Sequence, residues 1–294
     1  MRFDSWHPAV NFIFFAAVIT AAITFNQPVF LLIGYGASFA YSVYLGGRRG
    51  LIFDVVLLVL IILYAWFYSA YNHFGVTDLG VNFAGNKITL ESIVSGLVIA
   101  TKAASVVMWI FCMHCVVSSD KVVYLFGRIS PRLSLYFSIL LRTVPRIGAR
   151  SRSVNEALKG VGRGAGQGSI PWRIANRARI FSIVLTWVIE TMADAADSMK
   201  SRGYTLRGRT AFSIYRFDYR DRSFVLFFFL CVSIVSAGAM LDQTRILYRP
   251  TIVMNRITPA SFVFYFAYAL MCLTPMILQI AGEIRFARAR KGVV

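Results

Sequence analysis

Charge is scarce in this chain of 294 residues: Asp, Glu, Lys and Arg make up 15% of it, against roughly a quarter in a soluble globular domain. Acid is scarcer still, with 13 Asp and Glu facing 31 Lys and Arg. No paired-carboxylate motif occurs among those acids. Cysteine is limited to Cys112, Cys115, Cys231 and Cys272, all inside apolar runs. Thiols in such surroundings are inert packing residues, so no disulfide framework is expected. The three histidines, His7, His73 and His114, are scattered, which leaves no Ser–His–Asp set and no HExxH helix. Cys112-Met113-His114-Cys115 has the look of a metal site, but it sits in the middle of an apolar run with no second ligand pair. Nothing in this inventory argues for an enzyme.

What the chain has instead is apolar length. Hydrophobic residues make up 57% of it. A helix crossing a bilayer core needs about 20 apolar residues, with a range of roughly 17–25. Six stretches meet or approach that length: Ala9–Phe25, Val29–Leu45, Leu51–Tyr71, Ser92–Val117, Phe224–Leu241 and Ala260–Ala281. They predict an all-α polytopic membrane protein with about six transmembrane helices. The first run lacks a strongly basic start and a small-residue cleavage site, and a second run follows the Asn26-Gln27-Pro28 turn. It reads as a retained signal-anchor.

The basic excess, a net charge of +18, is unevenly placed. From Asp120 to Arg222 there are 19 Lys or Arg against 7 Asp or Glu, an excess of 12. Basic residues in short loops stay on the cytoplasmic side. On that rule the Arg48-Arg49 turn and the tail with Arg285, Arg288, Arg290 and Lys291 lie inside, and the 72–90 loop, with Asp78, Lys87 and Glu91, lies outside. The resulting topology puts both termini in the cytoplasm. Arg245, Arg249 and Arg256, with Asp242, would then face outward, against the trend. Three regions follow: residues 1–118 with spans one to four, a central cytoplasmic or interfacial helical domain over 119–222, and residues 223–294 with spans five and six and the basic tail. Aromatic residues do not interleave with the basic ones in the manner of a nucleic-acid surface, so the excess is assigned to orientation and anionic headgroups.

Within the central region Asp120 and Lys121 are expected at the water interface. Pro131 starts a helix whose Leu133, Phe137, Leu140, Leu141 and Val144 form one apolar stripe, and Pro145 is expected to interrupt it. A second, polar helix is expected from about Arg146 to Lys159, ending at Gly160. "GVGRGAGQGSIP" then reads as a loop, because glycine costs about 1 kcal/mol relative to Ala in a helix. It has no Lys for a phosphate loop, and no strand precedes Gly160-x-Gly162-x-x-Ala165 as a dinucleotide fingerprint requires. A third helix begins after Pro171. Over "ADAADSMKSRGYTLRGRT", residues 193–210, it places Met192, Ala193, Ala196 and Met199 on one soft, small face with Asp194 and Asp197 off it. Lys200-Ser201-Arg202-Gly203 reads locally as a helix end, cations complementing the dipole and glycine stopping the helix.

Two ionisable residues in the spans stand apart. Lys102 lies near mid-depth of the fourth run, and Asp54 near one end of the third. Charges in the membrane are functional candidates by default. They leave open a self-contained secondary transporter or channel with Lys102 and Asp54 in its pathway, although internal inverted repeats are absent from the sequence. A membrane enzyme acting on a phosphorylated or lipid substrate is the third class, without a catalytic set to support it.

Five segments carry a resemblance: "HPAVNF" near the start, "GGRRG" after the second run, "YNHFGVT" in the outer loop, "SSDKVVYLFGRISP" after the fourth run and "ETMADAADSMKSRGYTLRGRTAFSIYRF". Over most of its length the chain resembles the T component of energy-coupling factor (ECF) transporters. That family carries two X-Arg-Gly signatures at the ends of cytoplasmic coupling helices. The second matches Ser201-Arg202-Gly203, with Ser in place of the usual Ala, and the first matches Gly162-Arg163-Gly164. The resemblance implies that each Arg docks in a groove of one of two homologous ABC ATPase subunits, with Met192, Ala193, Ala196 and Met199 as a supporting face. It further implies a membrane-embedded substrate-binding S subunit as partner, a location in the plasma membrane of a prokaryote, and uptake of a vitamin, metal ion or similar micronutrient. ATP would be bound by the partner ATPases, and no cofactor or nucleic acid by this chain.

Overall fold

A computed structural model describes residues 3–72, 74–81, 87–204, 206, 215, 217–244, 246–248 and 258–291. The expectations on His73, Arg245, Arg249, Arg256 and the end of the 193–210 stretch fall outside these residues. The chain divides into two compact units, residues 1–118 with 215–294, and residues 119–214.

In the first unit the apolar runs become α1 (Pro8–Thr24), α2 (Pro28–Gly46), α3 (Arg48–Tyr71), α4 (Leu90–Val116), α8 (Tyr219–Met240) and α9 (Pro259–Lys291). The last five are long and apolar enough to cross a membrane, while α1 has 17 residues. The chain is a membrane protein on this ground, and its outer surface agrees. Along α3 the exposed side chains include Ile52, Val56, Ile62, Trp66 and Phe67, an apolar face that suits lipid rather than water.

Breaks between helices follow from named residues. His7 Nδ1 accepts from the N–H of Ala9 at 3.2 Å, and Pro8 opens α1. Pro28 disfavours helical backbone at the residue before it, and Gln27 is extended, with ψ of 135°. Gly47 takes φ of +56° between α2 and α3. At Gly50 an added Cβ would lie 2.5 Å from the Ser42 carbonyl oxygen. The glycines of "GGRRG" thus close a tight helical hairpin. Gly50→Ala is expected to lower the stability of the purified protein by about 1–3 kcal/mol through backbone displacement, whereas Gly36→Ala, which meets nothing within 4 Å, should be neutral in the same thermal melt.

Aromatic rings fill the centre of this unit. Trp109 is fully buried, with the rings of Phe14, Phe15 and Tyr41 at 6.0, 6.4 and 6.2 Å. Phe30 meets Tyr265 and Tyr268 edge-on at 5.1 and 5.3 Å. A short antiparallel pair, β1 (Asp78–Val81) and β2 (Lys87–Thr89), leads into α4. From sequence this whole segment reads as loop. Its strands are four and three residues long, too short for the alternation of Leu79 and Val81 to announce them. Thr77 Oγ1 donates to Glu91 Oε2 at 2.7 Å just beyond it.

The second unit holds α5 (Ser119–Ile129), α6 (Pro131–Gly160) and α7 (Ile170–Ser201). Two expectations are corrected here. Residues 119–129 form a helix of their own, and Lys121, expected at the water interface, is 2% exposed. Pro145 does not interrupt α6, which runs unbroken through it for 30 residues. An internal proline costs about 3 kcal/mol, and contacts on both sides of it offset part of that. Phe126 of α5 sits 4.8 Å from Phe137 ahead of the proline, and Arg150 lies over the Trp187 ring of α7 at 5.4 Å behind it. At the C-terminal end of the first unit the basic tail continues α9 as helix to Lys291. Arg285, Arg288 and Arg290 are exposed on the last turns of α9. At 33 residues and 1.5 Å per residue, α9 outreaches a hydrocarbon core of about 30 Å.

Candidate functional site

The residues singled out by sequence lie at the far ends of α6 and α7, within the second unit. The loop between these helices covers residues 161–169. Its glycines make it look loose, yet it is tied at several points. The Gly164 N–H donates to Gln167 Oε1 at 2.8 Å and the Ala165 N–H to Asn155 Oδ1 at 2.9 Å. Asn176 Nδ2, on the buried side of α7, donates to the Gly164 carbonyl at 3.2 Å. Gly164 is itself buried, and a Cβ there would come within 2.4 Å of Lys159 Cγ. Its glycine identity therefore serves loop closure. Ser169 caps α7 in extended backbone, with the Arg173 N–H donating to its carbonyl at 2.9 Å.

α7 ends on Ser201-Arg202-Gly203 in a geometry that accounts for two of the three residues. Gly203 has φ of +76°, a conformation that costs an L-residue with a side chain roughly 1–2 kcal/mol. Its N–H donates to the Lys200 carbonyl at 3.1 Å, and the Tyr204 N–H reaches back to the Met199 carbonyl at 3.2 Å. This pair of bonds is a Schellman stop. Arg202 sits at the cap itself, with φ of −82° and ψ of 6°, and its side chain is exposed. On the preceding turns Ala193 and Ala196 are exposed or half-buried together with Met192 and Met199, and Asp194 and Asp197 flank them.

α6 ends in the same way. Gly162 has φ of +74° and donates its N–H to the Lys159 carbonyl at 3.1 Å, and the Arg163 N–H reaches the Leu158 carbonyl at 2.9 Å. The Arg163 side chain is exposed. The structure thus places Gly162, Arg163, Ser201, Arg202 and Gly203 at two exposed helix ends of one unit, with Gly164 inside the loop.

Between α6 and α7, next to the loop that joins them, an open cavity of about 410 Å³ has apolar walls from Ile147, Ile180 and Val184 and has Arg152 and Arg177 among its lining. No sequence signal announces it, because its walls come from two helices some thirty residues apart.

Lys102 and Asp54 are not brought together. Lys102 Nζ donates to Asn26 Oδ1 at 2.6 Å, in the α1–α2 turn. Asp54, fully buried, accepts from Ser42 Oγ at 2.9 Å. Phe53 stacks on Phe111 at 5.0 Å, which sets Asp54 level with a point on α4 nine residues from Lys102, about 14 Å along the axis. The turn that Lys102 braces also receives Thr244 and Tyr248: the N–H groups of Asn26 and Gln27 donate to the Thr244 carbonyl at 3.0 and 3.1 Å, and Tyr248 Oη donates to the Asn26 carbonyl at 2.7 Å. Burial pushes the Tyr248 phenol up to about 12, so it remains a donor at any physiological pH. Lys102 is a strut of this turn. A double-mutant cycle of Lys102→Ala and Asn26→Ala is expected to give a coupling energy of about 1.5–3 kcal/mol, read from thermal or denaturant unfolding in detergent. In Cys112-Met113-His114-Cys115, Cys112 is buried while His114 and Cys115 are exposed.

No protein-family model matches the chain, and a search of curated proteins finds no match.

Proposed function

We propose that this chain is the energy-coupling transmembrane subunit of an ECF-type ABC importer, without catalysis of its own. The observation that carries the reading is the pair of long helices, α6 and α7, of 30 and 32 residues, each closed by the same glycine stop and each exposing a cation at or just past it. Long helices suit the transmission of displacement, since a packed helix moves as a unit. A guanidinium offers a fixed fork of donors to a carboxylate. In this reading Arg202 and the Gly162-Arg163-Gly164 end each meet one of two ATPase subunits on the cytoplasmic side, and Met192, Ala193, Ala196 and Met199 form the packing face beside Arg202. Nucleotide-driven closure of the ATPase pair pushes on both ends. The displacement passes to the spans, about six with α1 counted among them, which hold and tilt a membrane-embedded substrate-binding subunit. Both termini are then cytoplasmic, and the cargo, a vitamin, metal ion or similar micronutrient, is chosen by that other subunit.

The rival reading, a self-contained transporter or channel with Lys102 and Asp54 in its pathway, has less support, because each of these residues is engaged by a different neighbour about 14 Å from the other. Affinity purification of the tagged subunit from its native membrane separates the two. Recovery with ATPase subunits bearing a phosphate-binding loop is expected. Recovery of an intact, well-folded subunit alone would count against the coupling reading.

A further inference from the structure

The two helix ends can be overlaid residue by residue, because both are fixed by the same pair of backbone bonds. In that frame Leu158-Lys159-Gly160-Val161-Gly162-Arg163 lies on Met199-Lys200-Ser201-Arg202-Gly203-Tyr204. The bonds correspond: Gly162 to Lys159 as Gly203 to Lys200, and Arg163 to Leu158 as Tyr204 to Met199. The left-handed glycines agree at φ of +74° and +76°, and the cap residues agree at (−98°, 10°) for Val161 and (−82°, 6°) for Arg202. The residue at the position of Arg202 is therefore Val161. Arg163 lies two places further on, where α7 has Tyr204, and the chain turns from there directly into the buried Gly164.

We infer that Val161, and not Arg163, is the residue that the α6 end inserts into its ATPase subunit, so that the two ATPase grooves differ: one presents a carboxylate to Arg202, the other an apolar floor to Val161. The inference rests on the coupling reading above and narrows its partners to two non-identical subunits. Val161 is 74% exposed, as Arg202 is at the matching cap of α7, so each end presents its cap side chain outward. The exposure of Val161 is not a matter of loop slack, since Gln167, Asn155 and Asn176 hold the segment that follows. Specificity follows from mismatch. Val161 in a carboxylate groove would leave a buried charge unpaired, and Arg202 in an apolar groove would lose its water without gaining a partner. The two ends cannot exchange grooves.

The test uses the whole complex recovered from native membranes, with each ATPase subunit quantified separately. Val161→Asp and Val161→Arg, both at an exposed cap that tolerates polar side chains, are each expected to lower occupancy of one ATPase subunit by at least about tenfold. Arg163→Ala should change it by no more than about twofold. In the parent complex, docking through Val161 should be insensitive to added salt, and docking through Arg202 should weaken with it. If Arg163→Ala abolishes docking while Val161→Asp does not, or if Val161→Arg binds as well as the parent, the inference falls and the coupling reading stands. Identical ATPase subunits at both ends would overturn it likewise. If the parent complex contains no ATPase subunit, the coupling reading itself has failed.

Discussion

Arg202→Glu should all but abolish association with one ATPase subunit while leaving membrane insertion normal. Truncating one member of a buried interfacial charge pair costs about 2–5 kcal/mol, which is roughly a 30- to 5,000-fold loss of affinity, and reversal adds repulsion to the loss. The magnitude separates this account from the local one. Were Arg202 only complementing the α7 dipole, its contribution would be about 0.3–1 kcal/mol, and the variant would show a slightly less stable helix end with assembly intact. Arg202→Lys supplies a graded control, since an ammonium keeps the charge but not the planar fork. Its assembly should fall between parent and Arg202→Glu, and substrate uptake by the reconstituted complex should follow the same order. Equal assembly and transport in all three would remove Arg202 from the coupling interface.

The second large effect belongs to the membrane unit. Trp109→Ala removes a fully buried indole from among Phe14, Phe15 and Tyr41. Large-to-small changes of this kind cost about 3–5 kcal/mol in a core. Within lipid the transfer part of that cost shrinks, but the loss of packing remains, because helix association in a membrane depends on close approach. A large drop in the temperature at which the detergent-solubilised protein loses its monodisperse elution is expected. Trp66→Ala, at a side chain 73% exposed on α3, should elute and melt like the parent. Similar losses for both would mean that the aromatic cluster does not hold the bundle.

Much of the fold can be read from runs of apolar residues, because crossing a bilayer demands a length that chance seldom supplies. Every such run is a helix, five of them of spanning length. Sequence misleads where tertiary packing overrides a local signal. Pro145 looks like a break, but Phe137 and Arg150 are packed on either side of it, so the helix continues. α5 has a clear apolar face, with Val122, Leu125, Phe126 and Ile129 at steps of three and four, but at 11 residues it follows so closely on the fourth span that it reads as that span's end. At the candidate site the Ser201-Arg202-Gly203 stop is legible because glycine after a cationic turn is a strong terminator. The register of the α6 end is not. Alternating glycines offer several equally good stops, and only the positive φ at Gly162 with its paired backbone bonds selects one. The match of Leu158-Lys159 to Met199-Lys200, each lysine two residues ahead of its cap, is the signal in the sequence that could have found it. The strut from Lys102 to Asn26 has no such signal, since 76 residues separate them.

The most direct test of the coupling claim is a cross-link from the small face of α7. Met199, at the end of that face, lies one helical turn after Ala196, so Ala196→Cys can carry a benzophenone, with the exposed Cys115 replaced by Ser to keep the label at one place. Irradiation of the labelled complex in its native membrane should join this chain to an ATPase subunit, with a yield that changes between nucleotide-free and ATP-bound states. Products formed only with lipid, or a yield indifferent to ATP, would contradict the account.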